Sequence, residues 1–330
     1  MFSKLYKHSS VHNILVVTLS NIGDVLLTAP VIDILLKDFP GAKLSLVTSA
    51  RAASLFEGNP RIHQVHIFDK TFNPLNQARW TLDLRRYHYD LVVDFRNSMI
   101  GYFLFPRWIT PPVLLVDKKL HLKDQHLNRL RALYDFDPHL APSLAIVPSG
   151  DDELFVDALL KAFLGGSSSF VVVAPKAADS AKTWDSQKFA NFISGIVSKY
   201  GLKIVMIGSA DDRGAIEDIS RQANAPILNL AGRVSLIQTT ALLKRARIVV
   251  AHDSGPMHIA SYLNKPLVAL FGPTDPVCSC PWSSIFKVVC RNSQCPRCLS
   301  PQLSLTHNCM AAITEEDVLQ AFGEVYEQIR

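Results

Sequence analysis

No run of apolar residues in this sequence is long enough to cross a bilayer. The strongly apolar stretches, such as Ile14 to Leu19 and Phe170 to Ala174, span six and five residues, against the roughly 20 that a spanning helix needs. Lys4 and Lys7 precede the first of them. That run is nevertheless too short for the apolar part of a secretory signal, and it passes straight into Ser20-Asn21-Ile22-Gly23-Asp24. The protein is therefore expected in the cytosol. Charged residues are few, at 19%, and polar or repetitive tracts are missing, which excludes extensive disorder. A long basic stripe is missing too. Arg85-Arg86 and Lys118-Lys119 with His121 and Lys123 read as solvated faces, so nucleic acid is not an expected partner.

Cysteine is absent until Cys278, and all six cysteines lie between there and Cys309. In a reducing compartment a disulfide framework is not expected. The series Cys290-x4-Cys295-x2-Cys298-x10-Cys309 contains one short Cys-x-x-Cys pair, and four thiolates can complete a structural zinc site. The second pair lacks the short spacing, so reduced structural thiols are the first reading and zinc the second.

What is present is a globular composition, 48% hydrophobic over 330 residues, enough for two domains that each bury a core. The net charge of +5 favours anionic partners, whether nucleotides, phosphorylated glycolipids or an acidic membrane surface, without choosing among them. Short β-branched runs alternate with stretches of helical period: Asn13 to Leu19, Val25 to Lys37, Lys43 to Val47, Ala50 to Phe56, then Val65 to Phe68 and Leu91 to Asp94. This is the pattern of βαβ units on a parallel sheet, an α/β fold. It pauses at a Pro-Ser-Gly turn at Pro148 to Gly150 and restarts after a helical segment, Leu154 to Phe163, and Gly165-Gly166. The second series runs from strand Phe170 to Val173 through helix Ser186 to Lys199, strand Lys203 to Ile207, helix Arg213 to Ala223, strand Ile227 to Asn229 and helix Leu236 to Arg245. It closes with strand Ile248 to Ala251, helix Met257 to Tyr262 and strand Leu267 to Leu270. Two doubly wound domains, 1–150 and 151–330, are expected, with the ligand site in a cleft at the carboxyl ends of their strands.

Residues placed at those strand ends are the candidates. Asp253-Ser254-Gly255-Pro256 is a tight turn before a helix, where a glycine and a helix N-terminus suit an anion; an ordinary capped helix would read the same way. Asp211 and Asp212 follow Gly208-Ser209 at a position suited to a ribose. Arg96 and Asn97 follow Asp94 and would meet a polar or anionic acceptor. Asp24 stands in the first turn of a helix, whose dipole keeps a carboxylate ionised, as a base must be. On position alone, a structural role for Asp24 is the stronger reading. Asp135-Phe136-Asp137 has the form of a metal-binding Asp-x-Asp, yet it lies remote from the carboxy-terminal motif, and no metal is expected. A dehydrogenase is disfavoured, because Ser20-Asn21-Ile22-Gly23 is not the Gly-x-Gly-x-x-Gly a dinucleotide requires.

The pair Asp253-Ser254-Gly255-Pro256-Met257-His258 and Phe271-Gly272-Pro273-Thr274-Asp275-Pro276 resembles the nucleotide-sugar signature of glycosyltransferase family 9, the ADP-heptose-using bacterial heptosyltransferases. Leu230-Ala231-Gly232-Arg233 with Ser235-Leu236, the Lys-x-Trp element Lys182-Thr183-Trp184, and Gly23-Asp24-Val25-Leu26-Leu27-Thr28 extend the resemblance. It covers most of the chain from Asn13 to Pro276 and departs from the family at Asp185, where a proline is usual, and at Ala174-Pro175-Lys176, where His-Pro-Gly is usual.

The resemblance implies a GT-B type fold of two Rossmann-like domains facing a cleft, with acceptor on the first and nucleotide sugar on the second. It implies an inverting, metal-independent transfer needing no cofactor beyond the donor, with ADP-heptose as donor and a lipid-linked inner-core lipopolysaccharide saccharide as acceptor. Contact with the inner face of the membrane would follow. By the same resemblance Asp24 is the catalytic base and Lys182 the phosphate-binding lysine. Asp253, Ser254, Gly255, Pro256 and His258 line the diphosphate, ribose and sugar, and Val234 lies near the adenine. A transferase of another nucleotide sugar, acting on a different cell-surface glycan, and a non-catalytic nucleotide-sugar-binding protein are the alternatives.

Overall fold

The computed structural model describes residues 10–69, 71–98, 100–111, 119–137, 143–165, 169–291 and 309–330. Lys4, Lys7, Lys118, Cys295 and Cys298 lie outside them. The chain divides into two units, Met1–Ser149 and Gly150–Arg330, and the division falls at the Pro-Ser-Gly turn.

In the first unit the β-branched runs become β1 (Asn13–Val17), β2 (Lys43–Thr48), β3 (Ile62–Ile67), β4 (Leu91–Asp94) and the short β5 (Trp108–Ile109), all parallel in the order β3-β2-β1-β4-β5. Ile14, Leu15, Val16 and Val17 are all inaccessible to solvent. A parallel strand is covered on both faces and so reads as an unbroken apolar run rather than an alternating one. The covering helices are α1 (Ile22–Asp38), α2 (Ala50–Ala53), α3 (Pro74–Arg85), α4 (Ile100–Phe103) and α5 (Leu122–Arg131). Expected to reach Phe56, α2 stops at Ala53. Gly58-Asn59-Pro60 follows within a turn, and Phe56 is buried from non-helical backbone instead.

The second unit carries a six-stranded parallel sheet in the order β11-β10-β9-β6-β7-β8. Its strands are β6 (Phe170–Ala174), β7 (Lys203–Met206), β8 (Ile227–Asn229), β9 (Ile248–His252), β10 (Leu267–Phe271) and β11 (Phe286–Cys290). The helices are α6 (Gly150–Leu164), α7 (Ser186–Tyr200), α8 (Arg213–Ala223), α9 (Leu236–Arg245), α10 (Gly255–Tyr262), α11 (Pro276–Ser279) and α12 (Glu315–Gln328).

Helix α7 shows how the sequence sets such an element. Asp185 caps it by accepting from the Gln187 and Lys188 amides, and Gly201 ends it in the left-handed conformation at φ +64°. The departure from proline at position 185 thus leaves a working helix start. Phe189, Phe192, Ile193 and Ile196 recur at helical spacing and are fully buried. Burying one such phenylalanine stabilises the fold by about 1.5–3 kcal/mol relative to leaving it exposed. Phe192 meets Phe322 of α12 edge to face at 5.8 Å. No helix among the described residues is long and apolar enough to cross a membrane.

Candidate active site

Strand order places the site before any side chain is considered. In the second sheet, connections run from β6 toward β7 on one side and from β9 toward β10 on the other. The crevice beyond the carboxyl ends of β6 and β9 is therefore the switch point at which such sheets hold ligands. The loop after β6 carries Lys182, and the end of β9 runs into Asp253, Ser254 and Gly255.

Those two loops are joined by one ion pair. Lys182 Nζ donates to Asp253 Oδ2 at 2.7 Å, with the carboxylate side chain only 7% exposed and the lysine 23%. Thr274 Oγ1 donates to the same oxygen at 2.9 Å, and the Ser279 hydroxyl to Oδ1 at 3.5 Å. His258 Nε2 lies 3.7 Å from Oδ1, and its ring stacks on Trp282 at 5.9 Å. The two halves of the signature, residues 253–258 and 271–276, thus converge on one buried carboxylate. Ser254 is the N-cap of α10, which starts at Gly255 rather than Met257 because Pro256 suits the first turn. The Ser254 hydroxyl turns back to the His252 carbonyl at 3.1 Å and makes no cap bond, so it does not occupy the start of the helix.

Lys182 is held in place from beneath. Trp184, two residues on, donates its backbone N–H to His252 Nε2 at 2.9 Å and its indole N–H to the Ile313 carbonyl at 3.0 Å. His252 is inaccessible to solvent. Burial first, and then the nearby Lys176 charge, push its pKa down to about 3. The ring is therefore neutral and, since Nε2 accepts, carries its proton on Nδ1. Gly272 completes the support, because a Cβ there would stand 3.1 Å from the Ala181 carbonyl oxygen.

The remaining donor-side candidates sit at the ends of β7 and β8. Gly232 adopts φ +65°, and a Cβ on it would come within 2.6 Å of Ala210 Cα, so the Asp211 loop and the Val234 loop pack together there. Val234 is half-buried and Asp211 exposed. Asp212 accepts from the Ser209 amide and hydroxyl at 2.8 and 2.7 Å and serves the turn.

In the first unit the switch point lies between β1 and β4. Asp24 stands in the first turn of the helix that follows β1, where its Oδ2 accepts from Asn21 Nδ2 at 3.0 Å. Asp94 ends β4; its carboxylate accepts from the Arg96 amide and the Ser98 hydroxyl, each at 2.8 Å. Burial raises its pKa against those bonds. Arg129 of α5 is buried, donates to Asn97 Oδ1 at 2.7 Å, and reaches the Asp94 carbonyl. Asp94, Asn97, Ser98, Tyr102, Thr110 and Arg129 line a cavity of about 270 Å³. Arg96 lies over the Phe68 ring at 4.1 Å and is not among the lining residues. Asp135 and Asp137 belong to this unit, after α5. Among the described residues, no group of three or more His, Cys, Asp or Glu side chains is placed to hold a metal ion.

The family model for glycosyltransferase family 9 (heptosyltransferase) matches residues 140–308, just over half of the chain. The chain belongs to glycosyltransferase family 9. Lipopolysaccharide heptosyltransferase 3 of Escherichia coli (strain K12) is 27% identical over 296 residues, covering 79% of this chain and 83% of the relative. The crystal structure of a family 9 glycosyl transferase from Veillonella parvula DSM 2008 superimposes with a TM-score of 0.80 at 21% identity, covering 96% of this chain and 97% of that one. An E. coli heptosyltransferase solved with ADP-2-deoxy-2-fluoro heptose matches with a TM-score of 0.68 at 18% identity, covering 94% and 99%.

This family 9 glycosyltransferase has the two parallel α/β units of the GT-B fold. Three residues around its site escape a linear reading: His252, Thr274 and Arg129. Thr274 stands inside the quoted signature, but only folding shows that its hydroxyl meets Asp253. His252 and Arg129 carry no local signal beyond their residue type.

Proposed function

We propose that this glycosyltransferase moves heptose from ADP-heptose to an inner-core saccharide of lipopolysaccharide, inverting the anomeric carbon and requiring no metal. The observation that carries this reading is the Lys182–Asp253 pair at the switch point of the second unit, inside the stretch that the heptosyltransferase family model matches. The E. coli relative's name supplies the acceptor class, and the ADP-linked fluoroheptose bound by the structural neighbour supplies the donor class.

In the proposed reaction the acceptor hydroxyl oxygen bonds to the anomeric carbon as the bond from that carbon to the β-phosphate oxygen breaks. The hydroxyl proton passes to the Asp24 carboxylate. ADP leaves with an added negative charge, which the Lys182 ammonium and the amide-bearing start of α10 stabilise, the role a divalent cation plays elsewhere. Asp253, itself fixed by the Thr274 hydroxyl, holds the ammonium so that little reorganisation is needed. The cavity beside Asp94, mostly apolar in its exposed lining with the Arg129 guanidinium at its wall, gives the first unit a recess for the acceptor.

The test is a transfer assay with purified protein, heptose-deficient lipopolysaccharide and a panel of nucleotide sugars, with and without EDTA. Product from ADP-heptose alone, of inverted configuration and at the same rate in EDTA, is expected. A preference for another donor, or loss of turnover restored by magnesium, would overturn the corresponding part.

A further inference from the structure

Helix α3 leaves an unusual stripe in solvent. It buries Thr81 and Leu84, while Leu75, Arg79, Leu82 and Arg86, spaced four, three and four residues apart, are all exposed. Both leucines are 60% exposed. At the end of the stripe the Arg85 guanidinium lies 4.7 Å over the ring of Phe105, which is 69% exposed, and Phe103 of the adjoining α4 is 57% exposed. Arg107 follows, also exposed.

Phe105 holds φ +51°, a left-handed conformation that is costly for a side-chain-bearing residue, and it does so immediately before Pro106. A large apolar ring kept in a costly conformation so as to face water is an outlier that points to use rather than packing. Four arginines surround the apolar groups, against one acid, Asp83, which pairs with Arg86 at 3.3 Å.

We infer that this face, Leu75, Arg79, Leu82, Arg85, Phe103 and Phe105, is a docking surface for an anionic phospholipid bilayer. Alternating leucine and arginine suits a helix lying in the interfacial plane: the apolar groups enter the acyl boundary while the arginine stems run along it and place their heads among the phosphates. The net positive charge of the face complements an acidic leaflet. A protein partner is the less fitting occupant, because the apolar groups are separated by cations rather than gathered into a centre that excludes charge. Such a surface has a use only if the acceptor is lipid-linked, as proposed above, and so rests on that reading.

The experiment is co-sedimentation of the full chain with vesicles of phosphatidylcholine containing phosphatidylglycerol, and with phosphatidylcholine alone. The protein is expected to partition onto the anionic vesicles and far less onto the neutral ones. Arg79→Ser with Arg85→Ser should weaken partitioning about 25-fold, from roughly fivefold per arginine. Leu82→Ser with Phe105→Ser should weaken it about tenfold or more.

Because these side chains are exposed, melting temperatures should stay near wild type, and transfer to a delipidated acceptor saccharide should be unchanged while transfer to vesicle-embedded acceptor falls. Wild-type protein that ignores anionic vesicles, binds neutral ones equally, or binds unchanged in both double variants would overturn the assignment. Transfer to delipidated acceptor without vesicle binding would sink the surface and leave the reaction standing. Vesicle binding lost in both variants, with no heptose transfer to any acceptor, would do the reverse.

Discussion

At the scale of single residues, the chemistry is concentrated in groups whose surroundings hold them still. Asp24 accepts a hydrogen bond from Asn21, which an asparagine at position 24 can still accept, so Asp24→Asn preserves the helix start while removing the proton acceptor. If Asp24 is the general base, the variant should lose about 10²–10⁴ in kcat with donor affinity nearly unchanged. A purely structural Asp24 would instead show near-normal turnover with a stability loss of about 0.3–1 kcal/mol. Measuring kcat, donor affinity and Tm on one preparation separates the two. His252 is a different kind of residue, touching no ligand in the proposed reaction but accepting the Trp184 amide two positions from Lys182. His252→Leu leaves that buried N–H without a partner, a cost of about 1–3 kcal/mol, and should lower both Tm and ADP affinity. His252→Gln restores an acceptor and should recover most of each. Turnover and ADP affinity untouched in a destabilised His252→Leu protein would confine His252 to stability alone.

Among the elements, α10 matters most because its first turn has no side-chain cap. A helix start free of a side-chain cap suits a diphosphate, and in the proposed reaction the phosphates pass over Gly255. Gly255→Val places a branched side chain in that path and should reduce ADP affinity at least tenfold by calorimetry without unfolding α10, since glycine is the weaker helix former. Unchanged affinity in folded protein would move the nucleotide elsewhere. The elements themselves were legible where burial is two-sided: apolar runs at β1, β6 and β9 announce parallel strands. The short β5 and β11 were not, because a two-residue strand has no period to detect and β11, only half-buried along most of its length, lacks a continuous apolar run.

Across the whole molecule, the two units share an acid sensitivity. His252 in the second unit has a pKa pushed down to about 3. His126 in the first, buried beside Arg129, is pushed down to about 4. A histidine whose folded pKa lies below its unfolded value near 6.5 takes up protons on unfolding, so stability is complete above about pH 6.5 and is lost as pH falls toward the folded value. Each residue contributes a slope of up to about 1.4 kcal/mol per pH unit inside its window. Asp94, whose pKa burial raises, acts in the opposite sense. Denaturation monitored from pH 7.5 to 4.5 should show Tm falling below pH 6.5, with a shallower fall in His252→Gln. A pH-independent Tm over that range would refute the buried neutral state of both rings.

The sequence by itself determined the class of the chain: apolar strands alternating with amphipathic helices can be satisfied only by parallel sheets covered on both faces, and the spaced motifs from Gly23-Asp24 to Thr274-Asp275 marked the family. Such information is local, carried by period, turn chemistry and short words of sequence. Tertiary structure alone decided which of those words meet. The Lys182–Asp253 bond spans 71 positions and the Trp184–His252 bond 68, and both exist because strand order sets β6 beside β9, a choice no single segment encodes. Arg129 reaches the end of β4 for the same reason: helix packing, not spacing along the chain, brings its guanidinium to Asn97.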